Sequence, residues 1–215
     1  ITLVSAATNT IKVSTATAQM STPTLTLAPT NTPCNPTLTD ASNLVVNEDF
    51  DDGKADGFGG TGGEWHVVDD GTGNKVLQGR ATSWSYNFFG PTTFSNGIIE
   101  YCVKIIEPGG IFLSFRGNTE SKYVYAFNED GIFLSYQGKN DTWVAIENSA
   151  RVYNFELDTW YTARLEIEGN KINAYLDDVL IANVEDSRLQ KGFLQFGVWP
   201  SSTVQFDEVR VQTSQ

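Results

Sequence analysis

Histidine occurs once and cysteine twice in these 215 residues. That scarcity excludes most zinc, haem and iron–sulfur centres, which take three or four such ligands. Lysine and arginine are also few, 14 against 26 aspartates and glutamates, for a formal net charge of −12. No basic cluster offsets the acidity, so no nucleic acid partner is expected; a phosphate-binding surface needs grouped cations. No apolar run approaches the roughly 18 residues of a membrane helix, and no span is expected. Residues 1–42 lack glycine and aromatics altogether and carry only two charges, Lys12 and Asp40.

Threonine and proline fill that first segment instead: twelve threonines, with Pro23, Pro29, Pro33 and Pro36. Ser21 to Pro36 suits an extended or O-glycosylated stalk. Residues 1–20 contain no proline, and Ile1-Thr2-Leu3 and Ile11-Lys12-Val13-Ser14-Thr15 alternate in the manner of strands. Leu25-Thr26-Leu27 repeats the pattern. A lone strand has no partners for its backbone groups and needs a sheet edge. Ile1, Leu3, Ile11, Val13, Leu25 and Leu27 are therefore candidate anchors of a donated strand. Residues 1–42 are expected to form an extended tail and residues 43–215 a folded domain.

Cys34 and Cys102 fit neither a CxxC redox pair nor a zinc pattern. One disulfide in an oxidising compartment is the reading they support. The chain opens on Ile1 rather than Met, consistent with a signal already removed, and an extracellular protein, secreted or at the cell surface, is expected. Asn31-Thr32-Pro33 before Cys34 does not resemble a lipid-attachment site.

From residue 43 onward, short alternating segments recur between turn signals, with no helical period. They run from Leu44-Val45-Val46 through Ile98 to Ile106 and Trp160 to Glu168 to Thr203 to Val211. About a dozen strands at such spacing predict an all-β sandwich or barrel. Alternation assigns Tyr161, Ala163, Leu165 and Ile167 to one face, and Ile99, Tyr101, Val103 and Ile105 likewise. Cys102 then falls on the outer face with Glu100 and Lys104, so a bridge to Cys34 would pin the end of the tail outside the sheet. Val204 and Phe206 differ in parity from Val209 and Val211, which predicts a bulge at Asp207-Glu208.

Several motifs together carry a resemblance. They are Phe50-Asp51-Asp52-Gly53, Trp65 and Val67, Leu77-Gln78-Gly79, and Trp160 through Asn170. Ala174-Tyr175-Leu176-Asp177, Gly192 through Gly197 and Phe206 through Val211 complete the set. The pattern resembles the concanavalin A-like lectin/glucanase superfamily, nearest its laminin-G-like and family-16-glycosidase-like jelly rolls, over roughly residues 43–212. The resemblance implies two curved antiparallel sheets in a jelly-roll sandwich, often with a glycan-binding face. It specifies fold better than function, because this fold hosts lectins, hydrolases and adhesive modules alike.

Family-16 chemistry uses Glu-x-Asp-x-x-Glu on one strand, since hydrolysis needs paired carboxylates. The closest match, Glu156 to Tyr161, ends in tyrosine. His66 has no nucleophile paired with it in sequence and reads as an ordinary strand residue. No enzyme is expected. Glu48 and Asp207, on first and last strands that commonly pair, are candidate ligands of a structural calcium. Trp84, Tyr86, Trp143 and Trp199 are candidate glycan-stacking residues, whereas Tyr123, Tyr125 and Phe127 read as a core stripe. Three functions follow as expectations, the least favoured of them a glycoside hydrolase. The first is a structural subunit that assembles head to tail with copies of itself into a filament, by donating its N-terminal strand. The alternative is a stalked carbohydrate-binding module.

Overall fold

A computed structural model describes residues 34, 36–38, 43–128 and 131–214. The six strand-donation anchors, from Ile1 to Leu27, lie outside the described residues. Fifteen strands follow in chain order. The first five are β1 (Leu44–Glu48), β2 (Gly59–Thr61), β3 (Glu64–Asp69), β4 (Lys75–Arg80) and β5 (Ser85–Phe94). β6 (Gly97–Glu107), β7 (Gly110–Gly117), β8 (Lys122–Asn128), β9 (Gly131–Gly138) and β10 (Thr142–Ala145) come next. β11 (Trp160–Glu168), β12 (Lys171–Leu176), β13 (Val179–Glu185), β14 (Gly192–Val198) and β15 (Thr203–Thr213) complete them. The helical content among the described residues is short 3-10 turns, one of them at Lys139–Asp141.

The strands make two antiparallel sheets stacked as a sandwich. Sheet one runs β13-β12-β11-β6-β15-β4-β3, with β1 also paired to β15. Sheet two runs β10-β9-β8-β7-β14-β5-β2. This is the concanavalin A-like jelly-roll architecture that the sequence motifs imply. The alternation holds where it was read: Tyr161, Ala163, Leu165, Ile167, Ile99, Tyr101, Val103 and Ile105 are all buried between the sheets. Tyr123, Tyr125 and Phe127 join the same core. Phe196 of sheet two stacks on Phe206 of sheet one, 4.2 Å between ring centroids, and on Phe89 at 4.4 Å. The register of β15 against β6 slips between Asp207 and Arg210, with Glu208 at φ 50°, the bulge that the change of parity requires.

Two strands were not visible in the alternation. β2 is three residues, Gly-Gly-Thr. β5 is interrupted by Gly90-Pro91, where proline cannot donate to a ladder and the pairing with β14 shifts.

Cys34 and Cys102 are disulfide-bonded, with Cα atoms 5.8 Å apart and a sequence separation of 68. The segment around Cys34 lies on the outer face of sheet one. Thr37 donates its hydroxyl to Glu100 Oε1 and Leu38 its N–H to Oε2, both at 2.8 Å. Arg210 Nη1 donates to the Leu38 carbonyl at 2.8 Å. Glu100 is thereby fully buried yet satisfied on both oxygens, as a buried carboxylate must be.

Arg116 is fully buried and, among the described residues, has no carboxylate partner. Its guanidinium donates to the carbonyls of Ser95, Leu189 and Gly169 and to Asn96 Oδ1, tying three loops together. The fork of five donors suits that task as no ammonium can.

Candidate functional site

The outer face of sheet two differs from that of sheet one. Alternation sends Ile111, Leu113 and Phe115 of β7 inward and Phe112 and Ser114 outward. Register then lays rows across the sheet. One row is Ser135, Val124, Ser114, Gln195 and Phe88, from β9 to β5. The next is Phe133, Ala126, Phe112, Gly197 and Tyr86. Beside them, Lys122 pairs with Gln137 and Gln137 with Trp143. Small residues, Ser114, Ala126 and Gly197, surround Phe112 at the centre, and Phe133, Phe88 and Tyr86 stand at the sides.

Glycine permits part of this arrangement. A Cβ at position 197 would collide with the Phe112 ring, and one at 110 with the Trp199 indole. With hydrogen there instead, Phe112 crosses β14 and meets Tyr86 edge-on, 6.0 Å between centroids. Trp84 contacts both Phe112 at 6.0 Å and Trp199 at 5.9 Å. Trp84 and Trp143 remain 43% and 41% exposed, and Phe88 39%. Exposed rings grouped on one face are the informative departure from ordinary burial.

Two adjoining cavities open on this face. The wider, about 330 Å³, is bounded by the Asn118–Ser121 turn and by Phe88, Lys122 and Phe193. The smaller, about 170 Å³, lies between Trp84, Phe112 and Trp143. Tyr86, Gln137 and Asp141 line both.

The polar groups here are short of partners. Gln137 Nε2 donates to Asp141 Oδ1 at 2.9 Å, but Gln137 Oε1 is buried with no hydrogen bond among the described residues. Ser114 Oγ, Ser135 Oγ and Trp199 Nε1 are in the same condition. Such groups are costly when buried alone and are usually satisfied by water or ligand. The Lys122 ammonium lies over the rings of Tyr86 and Phe112, 4.9 and 5.0 Å from their centroids. It donates a long bond to Gln195 Oε1, 3.4 Å, and among the described residues makes no salt bridge. Burial pushes its pKa down to about 8, against a smaller upward pull from Asp141.

All four ring residues singled out from sequence, Trp84, Tyr86, Trp143 and Trp199, are brought to this one face. Phe88, Phe112, Lys122, Gln137, Asp141 and Phe193 were not singled out. The signal for several was present: once Tyr123, Tyr125 and Phe127 are core, Lys122, Val124 and Ala126 must face out. Nothing in one strand says which neighbours share that face.

The other candidates lie elsewhere. Glu48 Oε1 accepts from the N–H of Phe50 in its own turn, and Asp207 accepts from Asn74 Nδ2 and from the N–H of Glu208. Burial raises Glu48 above its ordinary pKa and pushes Asp207 up to about 6. Their strands pair as expected, but Glu48 stands opposite Val209. Among the described residues no group of three His, Cys, Asp or Glu is placed to hold a metal ion. His66 is exposed on β3. Asp158 pairs with Lys104 and Tyr161 is core, so the partial glycosidase motif does not reach the ring-lined face.

The sequence profile of the galactocerebrosidase C-terminal lectin domain matches residues 84–214. No curated protein matches the chain. Among solved structures, carbohydrate-binding module CBM66 from Bacillus subtilis is similar, with a TM-score of 0.63 and 22% identity over 73% of this chain and 96% of that one. A galectin-like-fold protein of unknown function from Bacillus subtilis gives 0.61 at 13% identity, over 80% and 96%. The β-glucanase of Bacillus licheniformis gives 0.58 at 15%, over 81% and 100%.

Proposed function

This chain belongs to the family of the galactocerebrosidase C-terminal lectin domain, and from that premise we propose that it is a non-catalytic carbohydrate-binding module acting outside the cell. The ligand lies across the outer face of sheet two. The observation that carries the reading is the grouping of exposed rings with unpartnered buried polar atoms on one face. Flat rings cover the C–H faces of a sugar, while Lys122, Gln137 and Asp141 meet its hydroxyls.

Support for the non-catalytic half comes from the carboxylates. Glycoside hydrolysis needs a pair of carboxyls free to act at one bond. The two that line the wider cavity, Glu120 and Asp141, are exposed and held by Lys139 and Gln137. Extracellular placement is supported by the disulfide, which an oxidising compartment maintains. Nothing among the described residues favours strand donation to a second copy.

A printed glycan array tests the reading. A defined subset of the printed glycans should retain the full chain. Trp143→Ala should lose that retention while keeping its circular dichroism. Retention of no glycan, or hydrolysis of those retained, would refute it.

A further inference from the structure

We infer that the two cavities on sheet two are consecutive subsites for adjacent ring units of one oligosaccharide, so that the ligand is a chain of at least two sugars. The inference rests on the carbohydrate-binding reading and deepens it.

Each cavity has an aromatic wall of its own. Trp84 and Trp143 flank the smaller, and Phe88 with Phe193 flanks the wider, those two rings meeting edge-on with centroids 5.1 Å apart. The two walls line different cavities, so sugar rings stacked on them are successive units rather than one and the same. Between the walls stand Tyr86, Gln137 and Asp141, common to both cavities. That junction is polar, as the linkage between two sugars is. Its hydrogen-bonding capacity is only partly used. Gln137 Oε1 is an acceptor without a donor, and among the described residues Asp141 accepts only from Gln137. Two acceptors side by side at the boundary suit hydroxyls that flank a glycosidic oxygen on either ring.

The subsites differ in chemistry. The wider holds the Lys122 ammonium over Tyr86, at the end bounded by the Asn118–Ser121 turn. The smaller holds no cation and is dominated by indoles. A chain should therefore bind in one direction, its more polar unit toward Lys122.

Titration calorimetry of the full chain with gluco-, galacto-, manno- and fructo-oligosaccharides of one to six units tests this. In the series that binds, affinity should rise about tenfold from one unit to two, equivalent to about 1.4 kcal/mol, and change little beyond three. Trp143→Ala should remove that gain. Trp143→Tyr should restore most of it. Trp143 is exposed on an edge strand, so both variants should fold. Binding of single sugars as tightly as of longer chains would overturn the two-subsite inference alone. Absence of binding in every series would overturn it together with the reading beneath it.

Discussion

The indole of Trp199 packs edge-on against that of Trp84, with 5.9 Å between centroids and 66° between planes. Trp84 leads into β5 and Trp199 follows β14, so the contact joins two neighbouring strands at their ends. It holds the exposed Trp84 ring in place before any ligand arrives. Preorganised rings lose little entropy on binding. An edge-on aromatic pair contributes about 0.5–1.5 kcal/mol. Trp199→Ala should therefore weaken glycan binding about tenfold, measured by calorimetry, with an unchanged far-ultraviolet spectrum.

Gly197 is the support of the Phe112 ring. Gly197→Ala should force Phe112 from its seat between Tyr86 and Trp84. Overpacking of this kind costs about 1–3 kcal/mol. Denaturant titration should find that loss, and glycan affinity should fall with it.

Lys122 gives stability and binding opposite responses to pH. Its folded pKa of about 8 lies below the ordinary 10.5. The unfolded chain holds the proton more tightly, so this residue lowers stability below pH 8 and the loss is recovered as pH rises toward 10.5. Lys122→Met should thus stabilise the protein at pH 7, by about 1–3 kcal/mol. Glycan affinity should instead decline between pH 7 and pH 9, as the ammonium becomes a weaker donor. The variant should lose that decline.

Reduction of Cys34–Cys102 releases a 68-residue closure. Chain entropy assigns about 4 kcal/mol to it. Release of residues 36–38 would also uncover Glu100 and its bonds to Thr37 and Leu38. Reduction should lower the denaturation midpoint strongly and raise hydrogen exchange in β6, while glycan affinity, on the opposite sheet, changes little.

Much of this was legible in the sequence wherever one strand contains the whole signal. Tyr161 to Ile167 and Ile99 to Ile105 alternate with a core on one side and solvent on the other, so parity alone assigned their faces. The bulge at Glu208 appeared as a change of parity. The site was legible only in its most conspicuous rings. Trp84 and Trp143 stand among serine, asparagine and threonine, and so read as exposed. Lys122, Gln137 and Phe193 looked ordinary, because their meaning comes from strand order. β14 lies between β7 and β5, a long-range pairing that no local pattern encodes. Phe112 was hidden for a related reason. It is buried on the outer face, by rings from other strands, and parity places it without saying what covers it.

The indole N–H signals in a nitrogen–proton correlation spectrum test the central claim most directly. The chain has five tryptophans. Trp84, Trp143 and Trp199 stand on the ring-lined face; Trp65, bonded to Ser85, and Trp160, under Lys104, do not. Titration with the oligosaccharide that binds best should shift the first three indole signals and leave the other two in place. Shifts confined to Trp65 or Trp160, or no shift among the three, would contradict a carbohydrate site on sheet two.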